Sequence, residues 1–290
     1  MNTHSILKRL FYRTPMADEA GSLAIRAALD GHRPAMIARF GSTEIKAVLY
    51  PLAPWALKPI IRKRVHTDMK NLSGFFSASE SSLGAFSKMM LEDMRLLDVL
   101  GSWRVEERLL ERNFEHAQRV ELKCLEPYLS MNPWTDTLKG RKVLVVHPFN
   151  RTIEYQYFEK RALLFEDQRV LPQFQSLQTI KAVQTVAGGN GGFSSWFDAL
   201  DHMKAQIDSK DFDVAILGCG AYGFPLAAHI KRMGKQAVHL GGPTQVLFGI
   251  KGQRWDNHPV ISKLYNEHWI RPAAEDRPPN ADIVENGCYW

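Results

Sequence analysis

The stretch DVAILGCGAYGFPLAAHIKRMGKQAVHLGG, residues 213–242, predicts a strand, a glycine-rich turn, a helix and a second strand. Its apolar run 214–217 is the length of a buried strand, and the segment from Phe224 carries apolar residues at helical spacing. The same alternation begins upstream with the β-branched run RKVLVVHPF, residues 141–149. Strands that alternate with helices favour right-handed crossovers and parallel pairing. We therefore predict an α/β fold with a doubly wound, mostly parallel Rossmann-like sheet.

Four further segments complete the alternation in the second half of the chain. RTIEYQYFEKRALLF and FSSWFDALDHMKAQI predict helices, TIKAVQTVA predicts a strand, and GGNGG closes that strand. The tail from residue 251 is rich in Pro, Trp and Asn, and we expect it to fold back over the sheet.

The first third of the chain predicts mainly helices around one strand. A helix over 18–31 could be capped by Asp18 or Ser22 and ended by Gly31. PAMIARF then predicts a buried strand and TEIKAVLY a helix, whereas PLAPWALKP predicts a loop. Helical spacing between residues 80 and 124 predicts a pair of helices. We expect a single domain, with an added N-terminal helical region over 1–135, the sheet over 136–250 and a C-terminal wrap over 251–290.

Composition is that of a globular protein. The 290 residues are 45% hydrophobic and 23% charged, with a net charge of +6. A positive balance suits nucleotides, anionic sugars or a membrane face. The basic residues are dispersed apart from KPIIRKRVH at 58–66, so we expect no nucleic-acid partner. Three cysteines without paired spacing favour a reducing compartment, and hence a cytoplasmic location.

The N-terminal segment MNTHSILKRLFYR is basic and lacks the apolar region of a signal peptide. It could form an amphipathic helix that touches the anionic inner face of a membrane, or a helix that is only solvated. No stretch approaches the roughly 18 apolar residues of a spanning helix.

Gly218, Gly220 and Gly223 form a G-x-G-x-x-G pattern between a predicted strand and a predicted helix. Glycines at this position let a phosphate approach the backbone at a helix N-terminus. The acidic residue that binds ribose about 20 residues later is missing, because the next strand ends in His239 and glycines. The missing acidic residue argues against the binding of a dinucleotide or of adenosyl-methionine. Recognition of a mononucleotide diphosphate remains compatible with the pattern. A glycine corner that only allows close packing remains the alternative.

His147, Asn150 and Arg151 lie at the carboxyl end of another predicted strand, where ligands bind in open α/β sheets. Arg151 could hold a phosphate through two hydrogen bonds. His147 could accept a proton near neutral pH, although a structural histidine is equally compatible with the pattern.

The segment ARFGSTEIKAV, residues 38–48, places an arginine and a glutamate at the end of a strand. Arg39 ends the strand, Gly41 turns the chain, and Ser42 could cap the next helix. Glu44 lies in the first helical turn, where it is favourable against the helix dipole even without a function.

These segments resemble the GT-D type glycosyltransferases of bacterial polysaccharide, lipopolysaccharide and glycoprotein glycan assembly. ARFGSTEIKAV is similar to their Arg-Phe-Gly-Asp-Gly-Glu segment, and residues 214–242 look like their later strand, glycine turn, helix and strand. KGRKVLVVHPFNRTIEYQY, LPQF and the closing VENGCYW resemble a subgroup encoded among capsule and lipopolysaccharide synthesis proteins.

The resemblance implies transfer of a sugar from a nucleotide-diphosphate donor to a hydroxyl of a glycan or lipid-linked glycan. It places Glu44 and His147 as catalytic candidates. The candidates for donor binding are Arg39, Gly41, Ser42, Asn150, Arg151, Gly218, Gly220, Gly223 and Glu285.

The resemblance also bears on metal binding. The family's Asp-x-Glu, which holds Mn²⁺ or Mg²⁺ with the diphosphate, reads Ser42-Thr43-Glu44 here. Because a hard cation is usually held by several oxygen ligands, Glu44 alone predicts a weak site. Either metal binding is lost and arginines neutralise the diphosphate, or another acid supplies a second ligand.

Two other functional classes remain compatible with the sequence. A methyltransferase or dehydrogenase would rest on the glycine pattern alone. A non-catalytic member of a polysaccharide assembly complex would account for the missing aspartate.

Overall fold

A single parallel sheet organises the computed structural model, which describes residues 14–185, 189–277 and 287–290. Its seven strands lie in the order β3-β2-β1-β7-β6-β4-β5, and every neighbouring pair is parallel. The strands are β1 (Ala35–Ala38), β2 (Val99–Ser102), β3 (Gln118–Glu121), β4 (Lys142–His147), β5 (Ser176–Lys181), β6 (Val214–Leu217) and β7 (Gln236–His239). The predicted α/β fold with a parallel, doubly wound sheet is confirmed.

Ten α-helices in the described part of the chain surround this sheet. They are α1 (Asp18–Asp30), α2 (Ser42–Leu49), α3 (Lys58–Leu72), α4 (Glu80–Met94), α5 (Asn150–Tyr155), α6 (Arg161–Leu164), α7 (Trp196–Asp208), α8 (Gly223–Arg232), α9 (Pro243–Leu247) and α10 (Gln253–Asp256). A short π-helix, Gln156–Lys160, joins α5 to α6. None of these helices is both long and apolar enough to cross a bilayer.

The helices cover both faces of the sheet and enclose two hydrophobic cores. Helices α2, α3, α4, α7 and α8 pack on one face, where Phe86 and Trp196 are fully buried. Helices α1, α5 and α9 pack on the other, around Trp134 and Phe149. Each buried aromatic side chain contributes roughly 1.5–3 kcal/mol relative to exposure. Since helices cover both faces, a ligand can reach the sheet at the ends of its strands.

The strand order brings the two halves of the chain together. In the register of β1 and β7, Met36 lies opposite Ala237 and Ile37 opposite Val238. The chain leaves β1 towards α2 on one face and leaves β7 towards α9 on the other. A second reversal separates β4, which leads to α5, from β6, which leads to α8. Crevices at such reversals are where open α/β sheets bind ligands.

Two predictions about the first third of the chain are wrong, and one helix there was not predicted. The second helix of the pair over 80–124 is replaced by β2, a 3₁₀ helix (Val105–Asn113) and β3. Helix α1 has Ala17 as its N-cap without a side-chain cap, so neither Asp18 nor Ser22 caps it. Helix α3 follows the predicted loop and was not expected from the sequence.

Most other element predictions are confirmed. Gly31 ends α1, and α7 matches the helix predicted from FSSWFDALDHMKAQI; its N-cap, Ser195, accepts a hydrogen bond from the Asp198 N–H. Strand β5 starts earlier than predicted and ends at Lys181. The tail returns to the sheet, since Trp269 is buried in the second core and Ile250 bridges Ile270. The predicted N-terminal helix, Glu285 and part of GGNGG lie outside the described residues.

Candidate active site

A cleft of about 470 Å³ lies at the carboxyl ends of β1, β7 and β6. The segments that follow these strands form its floor, namely 39–44, 239–243 and 220–221. The cleft therefore occupies the crevice where the chain changes face between β1 and β7. The motif around Arg39 and the glycine turn at Gly220 are far apart in sequence and line the same cavity.

Arg39 supplies a partly buried positive charge to this cleft. Its guanidinium carbon lies 5.0 Å from the ring centroid of Trp103, a cation–π contact. Burial lowers the pKa of Arg39 from its ordinary value, and the carboxylate of Glu44 partly offsets this effect. Its Nε atom is buried and has no hydrogen-bond partner in the part of the chain that the structure describes. A guanidinium held in this way can bind an anionic ligand.

Glu44 lies beside Arg39 at the start of α2. Its carboxylate folds back over Gly41 and fills the space that a side chain there would need. Helix α2 begins at Ser42, with Gly41 as an N-cap that has no side-chain hydrogen bond. The prediction that Ser42 caps the helix is therefore wrong, because Ser42 is its first residue. The first N–H groups of a helix lack intrahelical partners, and this end of α2 lines the cleft.

Glu126 is a second carboxylate at the cleft, and sequence reasoning missed it. The hydroxyl of Tyr128 donates a hydrogen bond of 2.8 Å to this carboxylate. Burial raises the pKa of Glu126, whereas the Tyr128 hydrogen bond and the charges of His258, Arg39 and Arg254 lower it. Glu126 follows a short 3₁₀ turn (Leu122–Leu125) at the end of the stretch predicted as helical, and no motif marked it.

The described residues contain no group of three acidic, histidine or cysteine side chains arranged to hold a metal ion. Glu44 and Glu126 both line the cleft, and both carboxylates favour the charged form of Arg39. The described residues thus offer two carboxylates around an arginine. A divalent cation at this position would depend on phosphate oxygens of a substrate for its remaining ligands.

The three glycines of the G-x-G-x-x-G pattern have different surroundings. Gly220 has φ +56°, and a Cβ there would meet nothing within 4 Å. Gly218 packs between His147 and Thr244, and Gly223 packs directly on the imidazole of His239. Gly220 is therefore required by backbone conformation and opens onto the cleft, whereas Gly218 and Gly223 provide close packing of the elements that support it.

His147 lies beside the cleft in a smaller, mostly apolar pocket of about 170 Å³. This pocket lies at the second reversal, between β4 and β6. The Phe149 N–H donates a hydrogen bond of 3.0 Å to His147 Nδ1. Burial lowers the pKa of His147 to about 3. The expectation that His147 titrates near neutral pH is wrong, because the imidazole is held neutral in the interior.

The smaller pocket and the cleft are neighbours that share walls. Gly220, Ala221, Gly242 and Tyr289 line both, as does the end of α3 at 72–73. Together they form a continuous groove over the carboxyl ends of the strands, with charged side chains at one end of the groove and apolar side chains at the other.

Two predicted binding residues lie away from this groove. Arg151 is exposed on α5 and lines neither cavity. Asn150 Nδ2 donates a hydrogen bond of 3.2 Å to Thr179 Oγ1 on β5. The strand end itself is correctly placed, but the first turn of α5 directs these side chains elsewhere.

The C-terminus closes the groove and is docked, as predicted. Arg254 Nη1 donates a hydrogen bond of 2.8 Å to the Tyr289 hydroxyl. The Trp290 indole donates a hydrogen bond to the Asp276 carbonyl and contacts Phe149 at 5.9 Å between ring centroids. Arg254 and Tyr289 therefore form part of the cleft wall, which the sequence did not indicate.

No family model matches the sequence. No curated protein matches it either. Among solved structures, a domain of unknown function 1792, determined with selenomethionine, is 13% identical over 83% of each chain, with a TM-score of 0.47.

A second structure of domain 1792, described as having a distinct glycosyltransferase fold, is 12% identical over 95% of this chain and 96% of its own, with a TM-score of 0.47. A third, described as a new glycosyltransferase from Streptococcus sanguinis, is 12% identical over 79% and 82%, with a TM-score of 0.35. TM-scores below 0.5 at these identities establish neither a family nor an activity for this chain.

Proposed function

We propose that this chain is a glycosyltransferase that moves a sugar, of hexose type, from a nucleotide-diphosphate donor to an acceptor hydroxyl. One observation carries the proposal. Arg39, Glu44 and the open glycine turn at Gly220 line the same cleft, although nearly 180 residues separate them in sequence. Sugar transfer from such a donor needs a cation for the departing diphosphate and a base for the attacking hydroxyl. The cleft supplies both.

In this proposal the diphosphate lies between Arg39 and the Gly220 turn. The guanidinium of Arg39 has an unsatisfied Nε to donate, and its cation–π contact with Trp103 holds it in place. The N-terminal end of α2 faces the same space, where backbone N–H groups and the helix dipole favour an anion. These groups stabilise the charge that develops on the leaving diphosphate.

We assign the nucleoside to the smaller pocket and the sugar to the cleft. The smaller pocket is mostly apolar, with Phe149 and Trp290 among its walls and Gln184 as a polar group. Ligand pockets of this type bury a flat ring among apolar side chains and orient it with few hydrogen bonds. Replacing Gln184 with Ala should weaken nucleoside diphosphate binding about tenfold, by the loss of roughly 1.4 kcal/mol. Unchanged affinity would contradict this assignment.

Glu44 is the proposed general base. Its carboxylate accepts the proton of the acceptor hydroxyl while the hydroxyl oxygen bonds to the sugar carbon, and the bond from that carbon to the diphosphate oxygen breaks. His147 is a weaker candidate, because a group with a pKa of about 3 accepts a proton poorly at pH 7. Glu126, next to Arg254 and His258, is placed to orient sugar hydroxyls.

We further propose that metal binding is weak, because Ser42 stands where the resembled family has an aspartate. If Mn²⁺ or Mg²⁺ binds, Glu44 and Glu126 would hold it together with the diphosphate, and it would add positive charge at the leaving group. The acceptor is proposed to be a glycan of the bacterial surface, in a capsule, lipopolysaccharide or glycoprotein, built at the cytoplasmic side. This part rests on the sequence resemblance.

The experiment is Glu44→Gln, assayed by release of nucleoside diphosphate from a panel of UDP- and GDP-sugars. Loss of a general base typically lowers the rate by about 10²–10⁴-fold. Stability should be almost unchanged, because Glu44 is partly exposed and makes no hydrogen bond within the described residues. Glu115→Gln, at an exposed position, is the matched control. A folded Glu44→Gln protein with full activity would overturn the assignment.

A further inference from the structure

An apolar surface lies at the turn between α2 and α3. Leu52, Trp55, Leu57 and Ile60 are 57%, 86%, 49% and 76% exposed. These residues fall within nine positions, and we call residues 52–60 the hairpin tip. Single exposed apolar residues are ordinary, whereas a contiguous group that includes a tryptophan marks an interaction surface.

Helix α3 surrounds this tip with positive charge. From Pro51 to Leu72 the chain has five basic residues, Lys58, Arg62, Lys63, Arg64 and Lys70, and one acidic residue, Asp68. Arg62 pairs with Glu80 at 2.8 Å, and Arg64 with Asp68 at 3.7 Å. In the part of the chain that the structure describes, the three lysines form no ion pair. The tip therefore combines exposed apolar side chains with unneutralised cations.

This combination identifies the kind of partner. Cores of protein interfaces are depleted in lysine, and a nucleic-acid duplex presents mainly phosphate and sugar, which suit the lysines but not a cluster containing Leu57 and Ile60. The boundary of an anionic bilayer accepts both groups, because apolar side chains enter the acyl region while lysines meet lipid phosphates. Tryptophan is enriched at that boundary. We propose that the hairpin tip docks this protein on an anionic lipid bilayer.

The hairpin also relates the bilayer to the cleft. Helices α2 and α3 pack against each other, and their far ends both reach the cleft, at Ser42 and at Leu72. At 1.5 Å per residue, α2 spans about 12 Å and Ile60 to Leu72 about 18 Å. With both helices standing upright on the bilayer, docking by the tip would hold the cleft about 12–18 Å from the lipid surface. If the proposed sugar transfer is correct, this distance favours an acceptor carried on a lipid.

The test is co-sedimentation of the full chain with lipid vesicles. This assay requires no enzymatic activity, so its result is independent of whether the proposed function is correct. Vesicles of phosphatidylglycerol and phosphatidylethanolamine (about 30:70) should bind the protein, and phosphatidylcholine vesicles should not. Binding should weaken as salt is raised. The double variant Trp55→Ala/Ile60→Ser should bind at least about tenfold more weakly. Lys63→Glu should lower binding at least about fivefold.

The tip variants and their matched controls distinguish lipid binding through the tip from nonspecific adsorption and from binding through the basic N-terminal segment. Leu109→Ser removes an equally exposed apolar side chain, 75% against 76% for Ile60, and Lys139→Glu reverses an exposed charge elsewhere. Both should bind as the wild type does. The proposal is overturned if the wild type ignores anionic vesicles, if the double variant still binds fully, or if the controls lose binding equally.

Discussion

The carboxylate of Glu44 lies over Gly41, in the space where a side chain at position 41 would project. The backbone of Gly41 has φ −73° and ψ 149°, which any residue adopts. Glycine is therefore needed here for the position of Glu44 and not for the turn itself. This relationship ties two residues of the ARFGSTE segment to one geometric requirement.

Gly41→Ala should displace the Glu44 carboxylate and reduce activity at least about tenfold, since small misplacements of a catalytic group cost large factors in rate. Stability should fall by about 1 kcal/mol, because alanine fits the backbone but is a poorer N-cap than glycine. Urea unfolding and nucleoside diphosphate release measure the two effects. Gly84→Ala, in the interior of α4 with open space at its Cβ, should keep full activity. Equal activity of both variants would show that the Glu44 position does not matter.

The glycines of the G-x-G-x-x-G turn should respond differently to alanine. Gly218→Ala would bring its Cβ to 2.7 Å from Thr244 Oγ1, and Gly223→Ala would collide with the His239 ring. Both should lose about 1–3 kcal/mol of stability through overpacking. Gly220→Ala meets no atom, so it carries only the cost of a positive φ, roughly 1 kcal/mol. Thermal unfolding of the three variants checks the order, and a larger loss at Gly220 would contradict it.

Removal of divalent cations should leave most of the activity. Among the residues that the structure describes, two carboxylates line the cleft, those of Glu44 and Glu126, and Arg39 lies within reach of the charge of both. We expect EDTA to lower nucleoside diphosphate release less than about threefold, because the cation for the leaving group is part of the protein. Added Mn²⁺ should act only at millimolar concentration. Complete loss in EDTA, restored by micromolar Mn²⁺, would show that Glu44 and Glu126 form a true metal site.

Stability should fall as the pH decreases below about 6.5. Burial lowers the pKa of His147 and of His239 to about 3. Between their ordinary pKa of 6.5 and pH 3, the unfolded chain binds protons that the folded chain excludes. Each histidine then reduces the free energy of unfolding by about 1.4 kcal/mol per pH unit.

Asp93 acts in the opposite direction over part of this range. Burial raises its pKa to about 6 despite its ion pair with Arg232. Between about pH 3.8 and 6 the folded chain therefore holds a proton that the unfolded chain releases. Urea unfolding of the wild type at pH 7 and pH 5 should give a clear decrease, smaller than two histidines alone produce. His239→Gln should flatten the dependence and exposed His202→Gln should not; the same slope in all three proteins would refute this account.

Much of the sheet follows from local pattern. Strands β4 and β6 contain continuous runs of buried apolar residues, and β7 carries the buried pair Ala237 and Val238 ahead of two glycines, so their apolar runs and the breaks after them identify these strands. Strand β2 reads Val-Leu-Gly-Ser and β3, at the sheet edge, reads Gln-Arg-Val-Glu, and both lie in a stretch whose apolar residues also recur at helical spacing. Nothing local separates such segments from a polar helix, because their pairing is decided by neighbours distant in sequence.

The residues of the candidate site also divide into those that could be predicted from the sequence and those that could not. Arg39, Glu44 and Gly220 could be predicted because each follows a strand and belongs to a recognisable segment. Glu126, Trp103 and Arg254 could not, because they reach the cleft through strand order and the docked C-terminus. The position of Arg151 on a strand-to-helix corner was correct, yet the direction of its side chain depends on how α5 packs.

The central claim is that the cleft holds a nucleotide diphosphate on Arg39. Isothermal titration calorimetry with UDP, GDP and their sugars, alongside NAD and adenosyl-methionine, tests it most directly. We predict that a nucleoside diphosphate binds, that Arg39→Ala weakens it about 10–100-fold through the loss of charge-assisted hydrogen bonds, and that Arg151→Ala binds as the wild type does. Binding of NAD or adenosyl-methionine instead, binding of none, or an unchanged affinity in Arg39→Ala would contradict the account.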